Sequence, residues 1–270
     1  MSALNPLTHA QLHELAPALF TKEPHHDVSD KYHFIPTIEV ITHITQYGWH
    51  PVSVQEASVR DLDKEGFQRH LVRFRHFDDL LNPKENAVEL LLFNSHDRTT
   101  AFSISAGIYR FVCANGLVIA DSIFEAYKIK HIGERDDDVA TAIEQIVQFK
   151  PLLEHKIESF GSIVLQESEK RSLARAALPL RFEAHLEVDP DDLIIPHREA
   201  DQKDDLYSVM NVVQENLLRG NLSGVNTETG RRFTSKEITS IAKDVEVNQG
   251  LWNIAERIAT IKAPQQLMAA

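Results

Sequence analysis

The stretch from residue 88 to 120 constrains the fold most, because it reads as strand, polar turn, strand, tight turn and strand without a break. Its first part, residues 88–93, is an apolar block typical of a strand. Asn94, Ser95, His96 and Asp97 follow, and such side chains fold back onto their own backbone in turns. Asn115 and Gly116 form a strong hairpin signal, because both residue types tolerate positive φ. The stretch therefore predicts consecutive antiparallel strands.

Further strand-like segments surround this stretch, rich in β-branched and aromatic residues and separated at hairpin-like intervals. They cover residues 51–57, 67–77, 87–93, 101–105, 117–121 and 126–132. Residues 37–45 fit either a strand or a helix. Upstream, residues 7–20 have helical spacing with Thr8 as a plausible cap, which predicts a short helical arm.

Helical patterns dominate after Gly133. Acidic residues 136–138 are placed to open a helix, and apolar stripes follow in residues 167–181 and 203–218. Residues 220–235 read as a polar loop, and Asn248 is a plausible cap for a last helix. The fold class is therefore α+β, with a curved, mainly antiparallel sheet in the N-terminal half packed with C-terminal helices. We expect an arm (1–30), a β-rich core (31–133) and a helical half (134–270) in one composite domain.

Composition narrows the function classes. The chain of 270 residues has a formal net charge of −12 and a single cysteine, so a disulfide within the chain is excluded. No apolar run approaches the roughly 20 residues that a membrane-spanning helix needs. The first 20 residues do not have the pattern of a signal peptide, so we expect a cytoplasmic protein without a membrane partner. The negative charge opposes simple nucleic-acid binding, and any such binding must be local.

Common catalytic and metal-binding patterns are incomplete. The glycines at 220 and 224 are not followed by the Lys-Ser or Lys-Thr of a phosphate-binding loop. His9 with His13 lacks a third ligand, and residues 25–27 (His-His-Asp) have the composition of a surface turn. We therefore predict no metal site, no cofactor and no catalytic residues, and we lean towards a protein that is not an enzyme.

Local basic groups are more informative. Strand periodicity places Arg69, Arg73 and Arg75 on one face, where alternate arginines can follow phosphates. The alternative is a solvated strand edge that charge protects against aggregation. Arg171 and Arg175 lie four residues apart on a predicted helix, and Arg231 with Arg232 lies in the polar loop.

Two sets of residues carry a resemblance to a known family. The first set consists of Asn94, Ser95, His96, Asp97, Gly107, Arg110, Val112, Cys113, Asn115, Gly116 and Leu117, and the second of Asn211, Gln214, Glu215, Asn216, Gly220, Asn248, Leu251 and Trp252. With these residues the chain resembles the phage/plasmid-like proteins of domain-of-unknown-function family 932, which occur on prophages and plasmids. The amides of the second set either contact a ligand or form internal bonds.

The resemblance implies a role in handling DNA, and a sheet followed by helices is similar to single-strand annealing proteins of the Rad52-like type. The leading hypothesis is a non-enzymatic, homo-oligomeric protein that holds single-stranded DNA through the seven arginines named above. One alternative is a small-ligand or enzyme site built from Asn94, His96, Asp97, Arg110 and Asn115. Another is an acidic protein that binds a host protein.

Overall fold

The computed structural model describes residues 5–29, 32, 34–110, 115–118 and 150–269, with the backbone alone for 115–118 and 263–269. These residues form two compact units. The first contains residues 5–110 and Lys150, and the second contains residues 115–118 and 151–269. The predicted strand at 126–132 and the helix expected at 136–138 lie outside the described residues.

The first unit begins with helices. Helix α1 covers His9–Leu15, and Thr8 caps it as predicted, since the Thr8 side chain accepts a hydrogen bond from the Gln11 amide. A 3₁₀ turn follows at Pro17–Phe20. Helix α2 covers Thr37–Gln46, which resolves the segment that fitted either a strand or a helix. Its buried residues are three and four positions apart, which is helical spacing: Thr37, Val40, Ile41 and Ile44.

Four strands form the antiparallel sheet of this unit in the order β1-β2-β3-β4. Their bounds are Trp49–Glu56 (β1), His70–His76 (β2), Asn86–Asn94 (β3) and Ser103–Arg110 (β4). A 3₁₀ turn at Leu62–Lys64 lies between β1 and β2, and the short helix α3, Phe77–Leu81, follows β2. The central strands β2 and β3 are buried along almost their whole length.

Register fixes which side chains share a face of the sheet. His70 pairs with Asn94 and Arg75 pairs with Glu89 across β2 and β3. Because side chains alternate along a strand, His70 and Asn94 lie on one face while Arg73, Arg75 and Glu89 lie on the other. The alternation predicted for the arginine strand is thus present.

The second unit is mostly helical. Residues 151–162 form α4, and the later helices are Glu167–Ala177 (α5), Pro190–Leu193 (α6), Leu206–Arg219 (α7) and Ile241–Ala269 (α8). 3₁₀ turns cover Leu178–Leu180 and Glu199–Asp201. A short strand β5 covers Asn115–Val118. A separate, small antiparallel sheet consists of Leu186–Val188 (β6), Ser223–Asn226 (β7) and Arg232–Thr234 (β8).

The α+β class is confirmed. None of the described helices is both long and apolar enough to cross a bilayer.

Three local predictions were wrong. Residues 220–235 form the β7–β8 hairpin, because a polar turn at 227–230 returns the chain onto Ser223–Asn226. Asn115 and Gly116 lie in strand β5 and do not form the tight hairpin turn that was predicted to precede this strand. Asn248 lies inside α8, which begins seven residues earlier at Ile241, so it does not cap this helix.

Candidate functional site

Two arginines of strand β2 take part in a buried ion-pair network with a glutamate of β3. Arg73 Nη1 donates to Glu89 Oε2 at 2.9 Å, and Arg75 Nε donates to Glu89 Oε1 at 2.9 Å. Arg75 also stacks its guanidinium over the Tyr109 ring, 3.6 Å from the centroid. Arg73 is 6% exposed, Arg75 1% and Glu89 0%. These two guanidinium groups therefore do not face solvent. Their ion pairs with Glu89 offset part of the cost of burying them.

Arg69, at the start of the same segment, is partly exposed. Its guanidinium donates to the Thr99 carbonyl at 3.0 Å and to the Thr100 hydroxyl. Arg69 thus connects the segment before β2 to the turn that follows β3.

The turn formed by Asn94 to Asp97 fixes neighbouring backbone. Asn94 Oδ1 accepts from the Ser95 amide at 2.9 Å, and Asp97 Oδ1 accepts from the Thr99 amide at 3.0 Å. Both contacts confirm the predicted folding back of these side chains. The Asp97 pKa is lowered: burial raises it, but hydrogen bonds from Thr99 and Ser95 outweigh that effect.

The same turn holds two distant segments. Asn94 Nδ2 donates to the Ile35 carbonyl at 3.1 Å, and the Tyr32 hydroxyl donates to the Ser95 carbonyl at 2.8 Å. The His96 carbonyl accepts from the His25 amide, and the His96 amide donates to the Phe67 carbonyl. Asn94 and His96 have no exposed surface. The arrangement ties residues 25–37 to the sheet.

A buried polar chain connects the turn to α2. Asn94 Nδ2 donates to Thr37 Oγ1 at 3.0 Å, and Thr37 Oγ1 lies 2.8 Å from His70 Nε2. His70 Nδ1 lies 3.0 Å from the Gln68 carbonyl, which can only accept, so the ring proton resides on Nδ1. The Thr37 hydroxyl then donates to Nε2. Burial, with a smaller contribution from His96, lowers the pKa of His70 to about 3. His70 is therefore neutral in the folded protein near pH 7.

Among the remaining residues of the first set, Arg110 is 1% exposed and donates to Glu85 Oε1 at 3.2 Å, while Val112 and Cys113 lie outside the described residues. Asn115 lies in strand β5 of the second unit.

The amides of the second set form internal bonds. Asn211 donates to the Tyr207 carbonyl of its own helix at 2.7 Å, and Gln214 donates to Asn248 Oδ1 of α8. Asn216 donates to the Leu193 and Ile195 carbonyls at 2.9 and 3.1 Å. All three amides are at most 4% exposed. They join α7 to α8 and to residues 193–195.

One network in the second unit was not anticipated from the sequence. Arg198 donates to both carboxylate oxygens of Glu215, at 2.7 and 2.8 Å, and to Asp201 at 3.0 Å. The Glu215 hydrogen bonds raise the pKa of Arg198 above its ordinary value. Arg219 also contacts Glu215, at 2.6 Å. Glu215 is 2% exposed, so its buried carboxylate, between Gln214 and Asn216 in the sequence, holds Arg198 and Arg219.

The remaining predicted arginines lie in the second unit. Arg171 makes a bidentate contact with Asp191, with both distances 2.8 Å. Arg175, Arg231 and Arg232 are exposed. Within the described part of the chain, none of these three guanidinium groups forms an ion pair or a hydrogen bond; the Arg231 backbone amide donates to Thr229 Oγ1.

One side-chain cluster has a composition suited to a metal ion. His25, His26, Asp27 and Asp63 are the one group of three or more potential ligands found among the described residues. The sequence pattern included the first three of these residues but not Asp63. His9 and His13, the other histidine pair considered, contact the Phe20 ring.

Comparison with known proteins identifies the family but no activity. The chain is 32% identical over 256 residues to two Escherichia coli (strain K12) proteins, "UPF0380 protein YafZ" and "UPF0380 protein YfjQ". Each alignment covers 94% of this chain and 92% of the relative. No solved structure matches the chain. Residues 24–252 match the family described as "Domain of unknown function (DUF932)", and the chain therefore belongs to the DUF932 family.

Proposed function

We propose that this chain is a non-enzymatic protein that binds single-stranded nucleic acid through Arg175, Arg231 and Arg232. The observation that carries the proposal is that these three guanidinium groups are exposed and make no ion pair within the described residues. Arginine in this state can contact phosphate without first breaking a protein contact. The proposal extends to assembly of several copies along one strand.

The other four predicted arginines already have partners within the protein, so fewer arginines are proposed to bind nucleic acid. Arg73 and Arg75 neutralise buried Glu89, and Arg171 is held by Asp191. Arg69 already donates to Thr99 and Thr100. Phosphate binding by these four side chains would cost an existing contact, so they contribute less than the three exposed arginines.

The burial of the family residues argues against an enzyme site around His96. A catalytic group must reach substrate, whereas Asn94 and His96 are fully buried and Arg110 is 1% exposed. Their hydrogen bonds join segments of the first unit. The non-enzymatic proposal therefore fits the described contacts better than the alternative site does.

Fluorescence anisotropy with labelled single- and double-stranded oligonucleotides, over a range of salt concentrations, tests the proposal. For single strands, each phosphate contact contributes about −0.7 to the slope of log K against log salt. The double variant Arg231→Ala/Arg232→Ala should flatten that slope by about 1.4, and Arg175→Ala by about 0.7.

Arg60→Ala is the matched control for Arg175→Ala, because each removes one positive charge from an exposed position. The control should bind as the unmodified protein does. Equal losses in Arg60→Ala and Arg175→Ala would show that only total charge matters, which contradicts the assigned residues. Absence of binding at low salt would refute the function itself.

A further inference from the structure

The four residues His25, His26, Asp27 and Asp63 meet where two separate segments of the first unit touch. The first three lie in the turn before α2, and Asp63 lies in the 3₁₀ turn between β1 and β2. Each offers one ligand atom, and the four atoms lie within 4.8 Å of one another. We infer that this cluster binds a divalent transition-metal ion of the Zn²⁺ class.

The spacing of the ligand atoms fits tetrahedral coordination. At metal–ligand distances of about 2.1 Å, two ligand atoms of a tetrahedron lie about 3.4 Å apart. His25 Nε2 lies 3.2 Å from Asp63 Oδ2, and His26 Nε2 lies 3.4 Å from the same oxygen. His26 Nε2 lies 3.5 Å from Asp27 Oδ1. These three separations are close to the tetrahedral value, and the remaining pairs, all within 4.8 Å, would shorten around the ion.

The ligand types indicate which ion fits. Two imidazole nitrogens and two carboxylate oxygens suit Zn²⁺ or a similar transition metal, whereas Ca²⁺ and Mg²⁺ favour sets made of oxygen. The two carboxylates also balance the charge of a divalent ion.

His25 is the rigid member of the cluster. It is 1% exposed, its ring packs edge-on to the Phe67 ring with centroids 5.1 Å apart, and its amide donates to the His96 carbonyl. His26, Asp27 and Asp63 are exposed, which gives an ion a path from solvent.

Proton placement is compatible with metal binding after one local change. The Asp27 amide lies 3.2 Å from His25 Nδ1, which makes Nε2 the protonated nitrogen when no metal is bound. When Nε2 binds a metal, the proton lies on Nδ1, and Asp27 Oδ2, which is 3.7 Å from Nδ1, must move closer to accept a hydrogen bond from it. The Asp27 amide must then turn from the ring. Such a carboxylate–histidine contact orients imidazole ligands in metal sites.

Equilibrium dialysis of the untagged, chelator-treated full chain against ZnCl₂ tests this inference. We expect one Zn²⁺ per chain at up to about 100 µM free ion, with a rise in Tm because the ion ties the two segments together. Co²⁺ in place of Zn²⁺ should give the visible absorption of a tetrahedral site.

Asp63→Asn and His26→Ala each remove an exposed ligand and should weaken Zn²⁺ binding at least about tenfold. His9→Ala is the matched control, because it removes an exposed imidazole outside the cluster. Circular dichroism verifies that each variant is folded. The inference is overturned if the unmodified chain binds no Zn²⁺, or if the two ligand variants bind as well as His9→Ala does.

Discussion

At the scale of single residues, one buried carboxylate holds two buried arginines. Glu89 is shared by Arg73 and Arg75 at 2.9 Å each, all within the buried part of the sheet. Sequence periodicity correctly placed both arginines on one face. It did not indicate that Glu89 on the neighbouring strand is opposite Arg75 and also contacts Arg73, because strand register depends on tertiary pairing.

Glu89→Gln should lower the free energy of unfolding by about 3–5 kcal/mol, because it removes the buried carboxylate that both guanidinium groups contact. Urea unfolding monitored by circular dichroism measures the change. Glu14→Gln, which makes the same change at an exposed position of α1, should stay within about 0.5 kcal/mol of the unmodified protein. A small effect at Glu89 would contradict the buried network.

His70 should make stability depend on pH. Its folded pKa of about 3 lies below the ordinary value of 6.5, so the unfolded chain binds a proton in this range that the folded chain excludes. Stability is therefore complete above pH 6.5 and falls as pH decreases towards 3. Between pH 7 and pH 5 this contribution amounts to about 2 kcal/mol.

His70→Gln should remove that contribution, and urea unfolding at pH 7 and pH 5 measures the difference. His9→Gln, at an exposed position of α1, should retain the pH dependence of the unmodified protein. If His70→Gln showed the same loss between pH 7 and pH 5, other groups would be responsible.

At the level of elements, the end of α7 depends on one backbone conformation. Gly220 ends the helix at φ +75° and ψ −139°, a region that residues with a Cβ rarely adopt. A Cβ added there would lie 2.6 Å from the Lys236 carbonyl carbon and oxygen. The close approach brings the end of α7 against the segment after β8.

Gly220→Ala should destabilise the protein by at least about 2 kcal/mol more than Gly230→Ala. Gly230 is the matched control, because it also has positive φ, +68°, but a Cβ there meets nothing within 4 Å. Thermal and urea unfolding of the two variants measure the cost of the Gly220 environment relative to that of Gly230. Equal effects would show that the contact with Lys236 relaxes without cost.

For the whole molecule, net charge governs association between copies. The formal charge of −12 at pH 7 opposes association between copies, and this repulsion weakens near the sequence pI of about 5.6. We expect light scattering at low salt to report a larger mass at pH 5.6 than at pH 7.5. Circular dichroism at both values separates association from the acid destabilisation expected through His70.

A constant mass across this pH range would contradict the charge argument. The mass at pH 7.5 also tests the expected homo-oligomer, which stays a prediction. A value of 30.6 kDa, the mass of one chain, would exclude a stable assembly under those conditions.

The sequence by itself determined the α+β class, the Thr8 cap, the strand segments β1 to β3 and the turn after Asn94, because local periodicity and backbone-bonding side chains act over a few residues. Only tertiary structure decided what the charged and polar groups do. Glu89 reaches Arg73 and Arg75 through strand register, Asn94 reaches Ile35, and Asp63 reaches His25 across 38 positions. Such partners are far apart in the chain, and burial, which sets their accessibility, is a property of the packed molecule.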